Sequence, residues 1–127
     1  IVAHSIKYQQ LLPSGVGLEE SEYINPVDTE KEYLAVSATN LQGVYFGNKD
    51  IFSWLKERDP VEKLGYSIFV YDISRDERAT AIIGEIYKSL KNYKHARRQY
   101  ERVIYITREP QWRKWAMDKL SELDKLQ

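Results

Sequence analysis

Residues 77–110 read ERATAIIGEIYKSLKNYKHARRQYERVIYITREP, and their apolar residues recur three and four positions apart. That period places the apolar side chains of residues 78–90 on one face of a helix, and the same pattern returns over residues 94–107. Lys91-Asn92 interrupts the pattern between them. The stretch therefore predicts two consecutive amphipathic helices.

The residues that flank this stretch supply further boundary signals. Asp76 or Ser74 is a suitable N-cap for the first helix, because a short polar side chain can accept a hydrogen bond from the first turn. Pro110 is suited to the first turn of a third helix, which carries Trp112 and apolar residues as far as Leu126. Three helices in series are expected.

The order of residue types in the first two helices resembles one tetratricopeptide repeat, whose period of 34 residues equals the length of 77–110. The resemblance rests on Ile83, Gly84, Tyr87, Tyr93, Ala96, Tyr100, Val103, Ile104 and Ile106. Gly84 and Ala96 are small where two antiparallel helices are expected to approach most closely. The chain departs from the family pattern at Thr80, Lys91 and Arg108, where tryptophan, glycine and proline are usual.

The resemblance implies a protein-binding surface on the first helix. Its candidate residues are Arg78, Ala81, Glu85, Lys88 and Ser89. A single repeat cannot bury both of its faces, so the Trp112 helix is expected to cap one side, and the rest of the chain or another chain the other side. The alternative is that a lone repeat serves only as a structural brace.

The first half has the composition of strands joined by turns. Tyr33–Ser37 and Tyr66–Tyr71 are short β-branched and aromatic runs, and Ser5–Tyr8 alternates like an edge strand. Residues 51–58 between the two longer runs have helical spacing and end before Pro60. A crossover helix would make the two longer strands parallel, although a connection of about 28 residues also permits other routings.

Several segments of the first half resemble a region of a known protein family. They are YLAVSATNLQGVY at 33–45, Trp54-Leu55, Pro60-Val61 and GYSIFVY at 65–71. The region is the C-terminal part of bacterial proteins similar to dolichyl-phosphate-mannose-protein mannosyltransferases. The resemblance covers residues 5–72 and implies an extracytoplasmic domain that follows a membrane portion. Catalysis is expected in that other portion, so no catalytic residue is carried onto this chain.

Charge divides the chain at the same place as composition does. Residues 1–72 contain 6 basic and 11 acidic residues and the remainder 13 and 8, so the halves carry −5 and +5 and the total is zero. We therefore expect an α/β or α+β protein with a strand-containing unit over 1–73 and a three-helix unit over 74–127. Since the chain begins at Ile1 and its only methionine is Met117, we expect it to be processed or excised from a longer protein.

Few residue patterns point to chemistry. The chain has no cysteine, its histidines are His4 and His95 without neighbouring ligands at metal spacing, and it lacks a glycine-rich phosphate loop. No metal, cofactor or catalytic group is expected. The polar residues after the first long strand are a candidate for weak glycan or phosphate binding, although they serve equally well in a turn. They are Ser37, Thr39, Asn40 and Gln42.

The helical half has a local excess of positive charge between residues 88 and 114. Docking against the acidic first half of the chain, or against an acidic protein or peptide partner, accounts for this excess more economically than nucleic acid, which is not expected. No apolar run approaches the roughly 20 residues of a membrane span. The two resemblances imply a non-catalytic interaction domain of a larger membrane glycosyltransferase-like protein. The alternatives are a free-standing scaffold that binds a peptide, and a glycan- or phosphate-binding module. Self-association through the helices is also considered.

Overall fold

The computed structural model describes residues 8–10, 24–37, 57–65 and 68–126. The chain divides into two compact units. The described part of the first unit consists of residues 8–10, 30–37, 57–65 and 68–74, and that of the second consists of residues 24–29 and 75–126. The sequence-based division placed the boundary between residues 73 and 74 and assigned residues 24–29 to the strand-containing unit, whereas in the structure they group with the helices.

The first unit contains a four-stranded sheet within the described residues. Its strands are β1 (Tyr8–Gln10), β2 (Tyr33–Ser37), β3 (Glu62–Leu64) and β4 (Ile68–Asp72), in the spatial order β1-β2-β4-β3. β1 runs parallel to β2, whereas β4 runs antiparallel to both β2 and β3. The architecture is therefore α+β, a small sheet followed by three helices.

The parallel arrangement that a crossover helix would give to the two longer strands is not the one observed. β2 and β4 are antiparallel neighbours, with Leu34 opposite Tyr71 and Ala35 opposite Val70. Strand composition does not encode direction, and the long connection allows the chain to return either way. The expected crossover helix and the start of the expected edge strand fall on residues 51–56 and 5–7, which lie outside the described residues.

β3 is a strand that the sequence pattern did not predict. Its residues Glu62–Leu64 include two charged side chains and lack the β-branched composition on which strand assignment depends. β3 is antiparallel to β4, and Gly65 at its end has a φ of 66°, a left-handed value that glycine adopts without strain. β3 is therefore an edge strand defined by its pairing rather than by its composition.

The sheet core runs through consecutive residues of β2. Leu34, Ala35 and Val36 are each 0% exposed, and Val70 and Tyr71 on β4 are nearly so. Successive residues of a strand point to opposite faces, so burial of three in a row means that β2 is covered on both faces. Burial also raises the pKa of the Tyr71 hydroxyl.

The second unit contains three helices, and the sequence-based expectation of their order is confirmed. They are α1 (Glu77–Ser89), α2 (Tyr93–Ile106) and α3 (Pro110–Leu126). Asp76 is the N-cap of α1, because its Oδ1 accepts a hydrogen bond of 2.9 Å from the N–H of Ala79. Each helix begins within one residue of the position that the capping signals indicated.

The turn between α1 and α2 caps the C-terminus of α1 and the N-terminus of α2. The N–H of Lys91 donates to the carbonyl of Lys88, and the N–H of Asn92 to that of Tyr87, which together form a Schellman motif. Lys91 has a φ of 61° and is thus in the left-handed conformation. The Asn92 side chain then accepts from the N–H of His95 and caps α2.

The left-handed conformation of Lys91 predicts a stabilising substitution. Lys91→Gly should raise the free energy of unfolding by about 1 kcal/mol, because a residue with a Cβ pays roughly that amount in this region. Urea denaturation followed by circular dichroism measures the change. As a control, Glu101→Gly in the exposed part of α2 should lower stability by about 1 kcal/mol. A Lys91→Gly variant no more stable than the native chain would contradict this reading of the turn.

Gly84 is the point of closest approach between α1 and α2. A Cβ built on Gly84 would lie 2.8 Å from Cε1 of Tyr100 and 3.2 Å from Cβ of Gln99. Tyr100 and Gln99 are both 0% exposed, so neither side chain has free space into which to move. The prediction that Gly84 permits close helix packing beside a tyrosine is therefore consistent with the geometry.

Adding one methyl group at this point should cost stability. Gly84→Ala gains helix propensity, but overpacking against the Tyr100 ring should outweigh that gain and lower the free energy of unfolding by about 1–2 kcal/mol. The same substitution made in a Tyr100→Leu background should be neutral or stabilising, because the ring is absent. Equal losses in the two backgrounds, measured by urea denaturation, would show that the ring is not the obstacle.

Candidate interaction surface

α1 exposes one narrow stripe along its length. Arg78 and Ser89 are exposed at its ends, and Ile82 and Glu85 are partly exposed between them. Their spacing of four, three and four residues places them on one helical face. Among the remaining α1 residues, seven are buried, so this stripe is the part of the helix that a partner could contact. We call these four residues the α1 stripe.

The structure corrects one residue of the sequence-predicted surface. Ala81 is 4% exposed and packs in a cluster with Val103 of α2 and Ala116 of α3, so it does not belong to the surface. Ile82 takes its place in the stripe, although its apolar side chain had favoured the core face. The apolar spacing alone fits two orientations of α1, one that buries Ala81 and one that buries Ile82. The position of the third helix decides between them.

A chain of polar contacts joins the three helices along the border of the stripe. Lys119 Nζ of α3 lies 3.2 Å from Glu85 Oε1 and 3.8 Å from Glu122 Oε1, and Lys88 Nζ donates to Glu122 Oε1 at 2.8 Å. The buried Tyr100 hydroxyl donates to Glu85 Oε1 at 3.0 Å. Glu85 and Lys88, both predicted surface residues, are therefore held in place by α2 and α3.

These contacts shift the pKa values of the groups that form them. The hydrogen bond with Glu122 raises the pKa of Lys88 and outweighs a small opposing effect of burial. The hydrogen bond from Lys88, with the charge of Lys119, lowers the pKa of Glu122. Burial, together with the nearby Glu85 charge, raises the pKa of Tyr100 far above its ordinary value. Each shift favours the ionisation state that keeps the contacts intact.

Aromatic rings fill the space between α2 and α3 beside these charges. Trp115 meets the ring of Tyr100 edge to face, with centroids 5.6 Å apart, and meets Trp112 in the same manner at 5.7 Å. Lys119 Nζ lies 5.6 Å from the Trp115 ring. Such pairs add to the stability gained by burial. The side of the α1 stripe that faces α3 is therefore closely packed and ordered.

The lowered pKa of Glu122 predicts an acid-sensitive contribution to stability. A carboxyl group whose folded pKa lies below its unfolded value of 4.5 stabilises the fold above that pH, and the contribution is lost as pH falls through the folded pKa. The native chain should therefore lose its stability advantage over Glu122→Gln between about pH 5 and pH 3. Denaturation of both proteins across this range measures the difference.

A background substitution identifies the partner of Glu122 in this experiment. In a Lys88→Gln background the effect of Glu122→Gln should shrink, since the main hydrogen-bond donor is gone, while the remaining contact with Lys119 is longer. An unchanged effect would show that Lys88 does not stabilise the ionised carboxylate.

Part of the excess of positive charge found in residues 88–114 is paired within the helical unit. Lys88 binds Glu122, Arg97 binds Asp124, and Lys114 binds Asp118. All three carboxylates belong to α3 and lie beyond the span in which the excess was counted. Three of the nine basic residues in this span therefore have a counter-charge on the third helix.

Two further arginines of α2 are buried rather than exposed. Arg98 is 4% and Arg102 1% exposed. Both donate hydrogen bonds to residues 24–29, which we call the strap, and Arg102 also lies 5.7 Å from the ring of Tyr105. Nothing in the sequence pattern indicated these contacts, because the strap is more than 70 residues away along the chain.

The candidate glycan- or phosphate-binding residues lie only partly within the described part of the chain. Ser37 ends β2, whereas Thr39, Asn40 and Gln42 lie outside the described residues. In the described part of the chain, no three metal-ligating side chains come together, and no helix is long and apolar enough to cross a membrane. His95 Nδ1 lies 2.9 Å from Asn92 Oδ1 and takes part in the helix cap.

Comparisons with protein-family models, with curated proteins and with solved structures found no match to this chain.

Proposed function

We propose that the chain is a non-catalytic accessory domain that binds a protein or peptide partner along the α1 stripe. The observation that supports this most directly is the stripe itself, a solvent-accessible row on a helix in which seven of the other nine residues are buried. Arg78 offers a positive charge at one end, Ile82 an apolar contact in the middle and Ser89 a hydroxyl at the other end. A partner helix or extended peptide with an acidic residue opposite Arg78 is complementary to this row.

The electrostatic contacts at the border support binding rather than chemistry. Glu85 and Glu122 are engaged by Lys119 and Lys88, and the shifted pKa values keep Glu122 ionised and Lys88 protonated near neutral pH. A general acid or base needs a pKa near the working pH, and these shifts lead away from it. Ordered charges of this kind instead give a partner a fixed pattern to recognise.

The wider context that we propose is a larger membrane protein. The resemblance of residues 5–72 to mannosyltransferase-like proteins supports an extracytoplasmic accessory domain, in which the α1 stripe would bind a partner at the membrane face. A genomic reading frame that encodes transmembrane segments ahead of Ile1 is the expected finding. A reading frame without them would remove the glycosyltransferase connection and leave a free-standing scaffold that uses the same stripe.

Site-specific crosslinking tests the proposed surface. A photoreactive amino acid placed at Ser89 should capture a partner in cells, whereas the same group at Lys94 on the exposed face of α2 should not. The double variant Arg78→Glu, Ile82→Ser should then weaken binding of the captured partner at least about tenfold, equivalent to about 1.4 kcal/mol.

A matched charge change separates a specific effect from a general one. Lys94→Glu alters charge by the same amount as Arg78→Glu and should leave the affinity unchanged, with circular dichroism confirming that every variant is folded. Capture at Lys94 alone, or an unchanged affinity of the double variant for the captured partner, would refute the proposed surface.

A further inference from the structure

The strap is bound to α2 through its main chain. Arg98 donates to the carbonyl oxygens of Asn25 at 2.9 Å and Pro26 at 2.8 Å. Arg102 donates to those of Val27 at 2.7 Å and Thr29 at 2.5 Å, with a longer contact to the Thr29 hydroxyl. Arg98 and Arg102 are four residues apart on one face of α2, so their guanidinium groups act together.

Burial is distributed unequally between the two sides of this contact. The arginines are almost fully buried, whereas every residue from 24 to 29 is exposed or only partly buried. The strap is therefore held by charge-assisted hydrogen bonds more than by buried apolar side chains. A segment that buries little apolar surface belongs to the part of a fold that opens most readily.

We propose that Arg98 and Arg102 form a binding site for a turn-forming polypeptide segment, recognised through its main-chain carbonyls. The strap fills this site in the structure, and a segment of a partner protein fills it when the strap leaves. The site lies on α2 and shares no residue with the α1 stripe. An experiment that refutes binding at one of the two surfaces therefore leaves the proposal for the other unaffected. It extends the proposed function by adding a second, separately controlled binding surface.

The strap shows what kind of segment fits. Its carbonyls converge because the chain turns at Val27 and Asp28, directly after Pro26. Pro26, whose ring fixes φ, immediately precedes this turn and restricts the conformation of the strap there. The described contacts of the two guanidinium groups with the strap are to its main-chain carbonyls and to the Thr29 hydroxyl. The expected partner segment is thus a proline-containing turn that presents its main-chain carbonyls to the arginines.

Tethering explains how the strap would control access. A covalently attached segment competes at an effective concentration in the millimolar range, so a free peptide binds weakly while the strap is intact. The observed affinity of a peptide is reduced by the fraction of molecules whose site is open. Any change that weakens the strap should therefore strengthen peptide binding, provided that both arginines remain.

A labelled peptide with the sequence of residues 22–31, EYINPVDTEK, is the probe for this site. The full chain carrying Pro26→Gly and Thr29→Gly should bind it about tenfold more tightly than the native chain, because a more flexible strap is easier to displace. Adding Arg102→Lys should abolish the gain, since an ammonium group cannot reproduce the fork of the guanidinium. Adding Arg97→Lys, on the same helix but paired with Asp124, should preserve it.

Thiol reactivity reports whether the strap opens by itself, because the native chain contains no cysteine. In a Val27→Cys protein, labelling should occur by local opening and should speed up severalfold on Arg98→Lys or Arg102→Lys substitution. Circular dichroism should show that the helices remain folded. Two conservative variants are used so that misfolding of one does not end the test.

Three results would overturn the proposal. The first is peptide binding that is unaffected by Arg102→Lys. The second is labelling of Val27→Cys only at denaturant concentrations that unfold the whole chain, which would make the strap a permanent part of the core. The third is a concentration-dependent dimer of the Pro26→Gly, Thr29→Gly protein that excludes the peptide, which would assign the opened site to a second copy of the chain.

Discussion

The close approach of α1 and α2 at Gly84 determines how the rest of the helical unit is arranged. Because residue 84 has no side chain, the Tyr100 ring lies against the backbone of α1. From that position its hydroxyl reaches Glu85, and its edge meets Trp115 of α3. A larger residue would separate the helices and move all three contacts. The absence of a side chain at residue 84 thus affects the packing of α1 against α2, the contact with Glu85 and the aromatic packing of α3 beside the α1 stripe.

The ion pairs of the helical unit described above join residues within that unit. The total charge of the chain is zero, and Lys88, Arg97 and Lys114 of the helical unit each pair with a carboxylate of α3. Exposed ion pairs contribute little to stability individually, since their solvation changes little on folding. Their effect here is to orient groups such as Glu85 and Lys88, and orientation is what a recognition surface requires.

Local signals in the sequence were sufficient for the helices and insufficient for their surroundings. Caps, proline and apolar spacing located α1, α2 and α3 to within a residue, because these signals act over one or two turns. The direction of β4 relative to β2 depends on the route of a long connection, which the sequence pattern left open. The burial of Ala81 depends on α3, and that of Arg98 and Arg102 on a segment more than 70 residues earlier. Tertiary contacts of this kind have no local signature.

The position of the strap in the chain also bears on how the protein forms during synthesis. Asn25 precedes Arg98 by 73 residues, so at about 5–20 residues per second its carbonyl waits roughly 4–15 s for its donor to be made. During that interval the strap is hydrated and cannot be ordered by α2. The helical hairpin, whose two helices are joined by a turn at Lys91 and Asn92, depends on contacts close in sequence and can form without the strap. The strap is thus among the first parts of the helical unit to be synthesised, yet it cannot be ordered by α2 until that helix has been made.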